Sequence, residues 1–165
     1  YTQLIEWLKA KVDSISGTGS PKQQGYKFWL AAVAIGRHSA LRLGDIATLQ
    51  WASIDERFVV HTDKRNTRVD QQITPELRAA LDLIPRNNSD WCFPTQATIN
   101  NDPRTRAQLP VQFGRILKYA AIEGHHFHEL RASKLKEMDN NGTPITEIAA
   151  FAGHSSTKTT EGYIE

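Results

Sequence analysis

One cysteine and one methionine stand among the 165 residues of this chain. The lone thiol, Cys92, has no partner for an internal disulfide, which excludes a disulfide framework and fits a reducing compartment. No apolar run approaches the ~18 residues of a membrane span, and the opening residues do not read as a secretory leader. Charge of one sign is also scarce: 20 Lys and Arg against 18 Asp and Glu leave a formal +2 with histidine neutral. A pI near 8.8 permits nucleic-acid binding, but so small a balance does not by itself suggest it. Internal repeats and low-complexity tracts are absent. What is present is ordinary globular material, 39% apolar and 23% charged. Collagen, coiled coil and disordered tail do not fit that composition. The length suits one domain, which buries on the order of two-thirds of its unfolded surface.

Periodicity predicts a largely helical chain. Leu4, Leu8, Val12 and Ile15 recur at helical spacing over residues 2–15, and Gly17 to Pro21 break the pattern. A second helix fits 22–36. Its run from Phe28 to Ile35 is apolar nearly all round, which places it centrally. A short third helix fits 44–49, with Asp45 in its first turn, where an acid suits the helix dipole. The texture then changes. Residues 58–62 are β-branched and aromatic, 63–66 are turn-like, and 67–73 read as a returning strand, giving a small antiparallel hairpin with Lys64 near its tip. Thr74 and Pro75 mark a helix start and Pro85 its end. Residues 86–109 read as a long loop. Helices are expected again over 111–121, 128–138, from Thr143-Pro144 to about 151, and over 157–164. The expected fold is α+β, mainly α-helical, with Trp51 and Trp91 in the core. The chain opens on Tyr inside an amphipathic pattern. It is therefore expected to be a fragment, one catalytic domain over 1–165, with an upstream domain and a tail lying outside it.

Four separated segments carry chemistry: the stretch around Arg42 and Asp45, the Lys64 hairpin, Phe127-His128-Glu129-Leu130-Arg131, and Gly153-His154 followed by Tyr163. Guanidinium groups pair with phosphate oxygens bidentately, so Arg42 and Arg131 suit a shared phosphate whose charge grows in a transition state. A tyrosine with a reference pKa of ~10 can serve as nucleophile only if a neighbour takes its proton.

Together these segments resemble the catalytic domain of the tyrosine recombinases, the phage integrase family, over nearly the whole chain. Arg42 with Asp45 resembles the family's first arginine motif. His128-x-x-Arg131 resembles its His-x-x-Arg box, and Phe-His-Glu-Leu-Arg is similar to the lambdoid branch. His154 occupies a position that the family fills with His or Trp, and Tyr163, nine residues on, stands where the family places its nucleophile. Lys64 matches the hairpin lysine. Position 132 departs from the pattern, with Ala where many members carry His or Thr.

The resemblance implies roles. Tyr163 attacks a scissile phosphate held by Arg42 and Arg131, and His128 takes or carries the proton. His154 donates to a phosphate oxygen, Lys64 protonates the departing 5′ oxygen, and Asp45 orients the first arginine. The product is a 3′-phosphotyrosine, religated without ATP, metal or other cofactor. Implied partners are double-stranded DNA at attachment sites, a homotetramer of the full-length protein, and DNA-bending accessory proteins. No membrane is involved, and the implied location is the bacterial cytoplasm and nucleoid.

Bland readings compete at several positions. Arg65, Arg68, Arg104, Arg106 and Lys134 are candidates for DNA-backbone contacts, as are Arg115, Lys118 and Lys136, yet solvated helix faces account for such charges as well. His125, His126 and His128 hint at zinc, but no fourth ligand cluster accompanies them. A DNA-binding module of the same fold without catalysis, and a metal-dependent nuclease, are the alternative functions.

Overall fold

The computed structural model describes residues 1–15, 19–62 and 66–164. Lys64 and Arg65, and most of the turn that the sequence predicts at 63–66, lie outside the described residues.

Helix α1 (Thr2–Ser14) buries Leu4, Ile5 and Leu8 against α2 (Pro21–Ser39). Ser20 starts α2 by accepting a hydrogen bond from the Gln23 amide at 3.1 Å, with Pro21 in the first helical position, where no amide proton is needed. Every residue from Phe28 to Gly36 is buried, so α2 is the central strut. Gly36 has a packing reason: a Cβ there would meet Phe127 Cζ at 2.9 Å. That close approach seats Phe127, and with it the start of α7 (His128–Asn140), directly on α2.

α2 stops at Ala40, in the left-handed region at φ 54°, and the five-residue α3 (Leu43–Ala47) follows with Arg42 at its N-cap. Strands β1 (Arg57–His61) and β2 (Arg68–Gln72) pair antiparallel, with Val60 opposite Val69 and Phe58 opposite Gln71. Those four side chains are buried on one face, as period-two alternation requires. Thr74 accepts from the Leu77 amide and starts α4 (Pro75–Leu81), as the Thr-Pro pair predicts.

The expected long loop at 86–109 is interrupted. α5 (Pro94–Asn101) forms within it, burying Ala97 and Asn100, the latter against Gly44 of α3. Pro94 is a first-turn residue here, and α5 is too short and too polar to show a periodic apolar face. α6 (Gln108–Tyr119) likewise starts before the expected residue 111, with Pro110 in its first turn. Trp51 and Trp91, expected in the core, are only partly buried; Arg86 covers the Trp51 ring at 5.2 Å. α8 (Ile145–Ala152) ends at the left-handed Gly153 (φ 66°), and α9 (Thr157–Ile164) has the bounds that the sequence predicts. A mainly helical protein with one small antiparallel sheet is thus observed. Among the described residues no helix is long and apolar enough to cross a membrane.

Candidate active site

The ends of α2 and α8, the start of α7 and the length of α9 meet at one place. Arg131 lies at its centre, one turn along α7 from His128 and only 1% exposed. Its Nη1 donates to the Ala40 carbonyl at 2.5 Å, and its Nη2 donates to the Ala152 carbonyl at 2.7 Å. These carbonyls terminate α2 and α8 and have no acceptor role left inside their helices. Nη2 also meets His154 Nε2 at 2.6 Å. An arginine only donates, so His154 Nε2 accepts and the imidazole proton sits on Nδ1, which faces Thr160 Oγ1 at 2.9 Å. Thr160 is fully buried on α9, three residues before Tyr163. Donation from His154 Nε2 to a phosphate oxygen, the role implied by the resemblance, therefore requires both a proton on Nε2 and the release of that nitrogen from Arg131.

Tyr163 closes the cluster. Its ring stacks on His154 (centroids 5.3 Å, planes 28° apart), lies 5.1 Å from His128, and has the Arg131 guanidinium 5.8 Å from its centre. Its hydroxyl is 2.7 Å from His128 Nε2. His128 keeps an exposed edge, but desolvation by its surroundings lowers its pKa below the ordinary 6.5, and the charges of Arg131 and Arg42 lower it further. A neutral ring with Nε2 free to accept is the form that can take a phenol proton. Arg131 itself is pulled below its ordinary pKa by burial and by the charge of Arg42, while Tyr163 and Asp45 oppose the shift. Its high reference value leaves it charged.

Arg42 is half-buried at the N-cap of α3 and lines, with His128, Gly44, Phe113 and His126, a cleft of about 370 Å³. Asp45 is 4% exposed one turn away. The structure therefore brings His128, Arg131, His154 and Tyr163 into contact, with Arg42 near enough for its charge to act on His128 and Arg131.

The other candidates lie elsewhere. Arg68 is exposed on β2 and pairs with Asp70 at 2.8 Å, and Arg57 pairs with the same carboxylate. Arg104 is exposed and held by Asp102 at 2.9 Å; Arg106 is exposed beside it. Lys134 pairs with Glu137 at 2.8 Å, and Arg37 pairs with that carboxylate too, in the seam between α2 and α7. His125 is engaged by Glu129 at 2.6 Å. Thr160 and the carbonyls of Ala40 and Ala152 escaped the sequence reading, because nothing in their neighbours marks them.

The fold is similar to that of solved recombinases. XerA recombinase superposes with a TM-score of 0.68 at 20% identity, covering 99% of this chain and 56% of that one. A lambda integrase (75–356) dimer bound to a COC' core site gives 0.68 at 15% identity, covering 100% and 56%. XerH site-specific recombinase bound to palindromic difH gives 0.66 at 16%, covering 98% and 47%. The chain thus spans about half the length of these structures. A comparison with curated protein sequences finds no match. A sequence profile of the phage integrase family matches residues 19–165, so the chain, with its helical fold and its Arg–His–Tyr cluster, belongs to the phage integrase family of tyrosine recombinases.

Proposed function

We propose that this chain is the catalytic domain of a site-specific DNA recombinase that cuts and rejoins strands through a tyrosyl-phosphate link. The observation that carries the reading is the contact between the Tyr163 hydroxyl and His128 Nε2 at 2.7 Å, beside the buried guanidinium of Arg131. A nucleophile, a base and a charged phosphate ligand are then within one side chain's reach of each other.

The step is a transesterification. His128 Nε2 takes the phenolic proton as Tyr163 Oη bonds to phosphorus. The bond from phosphorus to the 5′ oxygen breaks, leaving a 3′-phosphotyrosine and a free 5′ hydroxyl. Arg131 and Arg42 stabilise the charge on the non-bridging oxygens. The departing oxygen needs a proton, and Lys64, which falls between β1 and β2 in the sequence, is the residue proposed to give it. Attack by a 5′ hydroxyl from a second duplex reverses these steps and passes the strand across, so bond energy is conserved and no ATP is required. Integration or excision of a mobile element, a tetramer on DNA, and DNA-bending partners belong to the same proposal, as does action on nucleoid DNA. Further domains of the whole protein would supply much of the non-specific grip on DNA, since that grip scales with phosphates neutralised and this chain carries only +2.

The test is a duplex of the element's own junction, nicked next to the scissile phosphate so that the released end diffuses away. The protein that contains this chain is expected to accumulate a covalent DNA adduct in the presence of EDTA. Loss of cleavage on chelation would instead identify a metal-dependent nuclease.

A further inference from the structure

Two buried polar side chains bridge the same pair of helix ends. Arg131 reaches Ala40 at the end of α2 and Ala152 at the end of α8. Gln71, from β2, reaches the carbonyls immediately before them: its Nε2 donates to Ser39 at 2.8 Å and to Phe151 at 2.9 Å. These partners lie 32 and 80 residues away in sequence. Arg42 and His154, the site residues that follow these ends, each come two positions after an Arg131 acceptor.

Gln71 is an odd residue for its place. It is 2% exposed, on the strand face that otherwise presents Val69 to the core. Its Oε1 is buried and has no hydrogen-bond partner among the described residues. An orphaned buried carbonyl costs folding free energy that a methionine of similar length would avoid. A methionine, however, has no donor for the two helix-end carbonyls. The neighbouring contact is equally tight, since a Cβ on Gly153 would meet Val69 Cγ2 at 2.7 Å. β2 is thus seated directly on the turn that carries His154.

We propose that Gln71 is a positioning residue for strand cleavage. Its amide fixes the separation of the α2 and α8 ends, and so sets where Arg131 holds its guanidinium and where Arg42 and His154 meet the phosphate. The inference rests on the recombinase reading and adds to it a residue that touches no substrate.

The experiment compares wild type, Gln71→Met, Arg131→Lys and the double variant, all in the whole protein that contains this chain. Readouts are single-turnover adduct formation on the nicked junction duplex, affinity for the intact duplex, and thermal melting. Gln71→Met should melt cooperatively and bind DNA within about threefold of wild type, while cleaving about tenfold to a hundredfold more slowly. Because both side chains tie the same two helix ends, the double variant should be no more than about threefold slower than Arg131→Lys alone. Losses that multiply, or a Gln71→Met protein as fast as wild type, would overturn the inference. If Gln71→Met does not fold, Gln71→Glu replaces it. That carboxyl can donate only when protonated, so its rate relative to wild type must rise as pH falls, and a flat ratio overturns the inference. A wild type that forms no adduct at all brings down the recombinase reading and this inference with it; a cleaving wild type matched by its Gln71 variants brings down only the latter.

Discussion

Arg131 and Tyr163 lie against each other, yet the protein holds them by opposite means. Arg131 is buried on α7 and tied to two helix ends and to His154, so both of its terminal nitrogens are held by fixed protein. Tyr163 is half-buried on the short α9, and its hydroxyl meets a histidine with an exposed edge. On the proposed mechanism, the charge that meets a developing oxyanion is set in advance, where reorganisation would be most costly, and the group that moves onto phosphorus and off again sits at the more exposed side. Simple phosphate binding would not call for this asymmetry; the proposed covalent step does.

Each side can be broken separately. The largest effect should come from Tyr163→Phe, which removes one oxygen and leaves the rings stacked. Adduct formation should fall by roughly 10⁴-fold or more while DNA affinity stays near wild type, read on the nicked duplex and by titration. Arg131→Ala should come next, with cleavage reduced roughly 10²- to 10³-fold. It should also lower the melting temperature, because the Ala40 and Ala152 carbonyls lose their donors at a cost of roughly 1–3 kcal/mol each. Tyr163→Phe should leave the melting temperature almost unmoved, which is the comparison in its sharpest form.

The third prediction concerns pH. His128 acts as a base only when neutral, and its pKa in the folded protein lies below the ordinary 6.5. Cleavage should therefore persist below pH 6.5 and fall only as pH drops through the depressed value, with the acid limb of the rate profile matching the His128 titration followed by NMR. The same depressed value means that the folded state binds fewer protons at this site than the unfolded chain. The stability it contributes is present above the unfolded pKa and is lost as pH falls through the depressed one.

Two smaller effects follow. Thr160→Val keeps the shape of α9 but leaves the His154 Nδ1 proton without its acceptor, so cleavage should drop about tenfold and stability by roughly 1 kcal/mol. Glu137→Gln loosens the seam between α2 and α7, where Lys134 and Arg37 hold the carboxyl's pKa near about 2. That carboxyl is partly exposed, so the melting change should correspond to less than about 1 kcal/mol, with cleavage unchanged.

Much of this was legible before any coordinates, for identifiable reasons. The Thr74 cap, the two strands of the hairpin and the bounds of α9 follow from local rules: a hydroxyl before a proline, a β-branched and aromatic run, and a helix begun after a glycine turn. Arg42, His128, Arg131, His154 and Tyr163 stand out because their order and spacing resemble a family, and the fold puts the last four in contact with one another. α5 was missed because Pro94 reads equally as a stop and as a start. Gln71 and Thr160 were missed for a deeper reason. Their partners are backbone carbonyls and a ring nitrogen brought near by folding, and no local pattern marks a polar side chain that serves a contact 80 residues away.

The most direct test of the account is to isolate the covalent adduct from the nicked junction duplex, digest it, and map the DNA-bearing peptide by mass spectrometry. The account predicts a phosphodiester on Tyr163, formed with EDTA present and absent from the Tyr163→Phe protein. A link to any other residue, or strand cleavage with no protein attached, would contradict it.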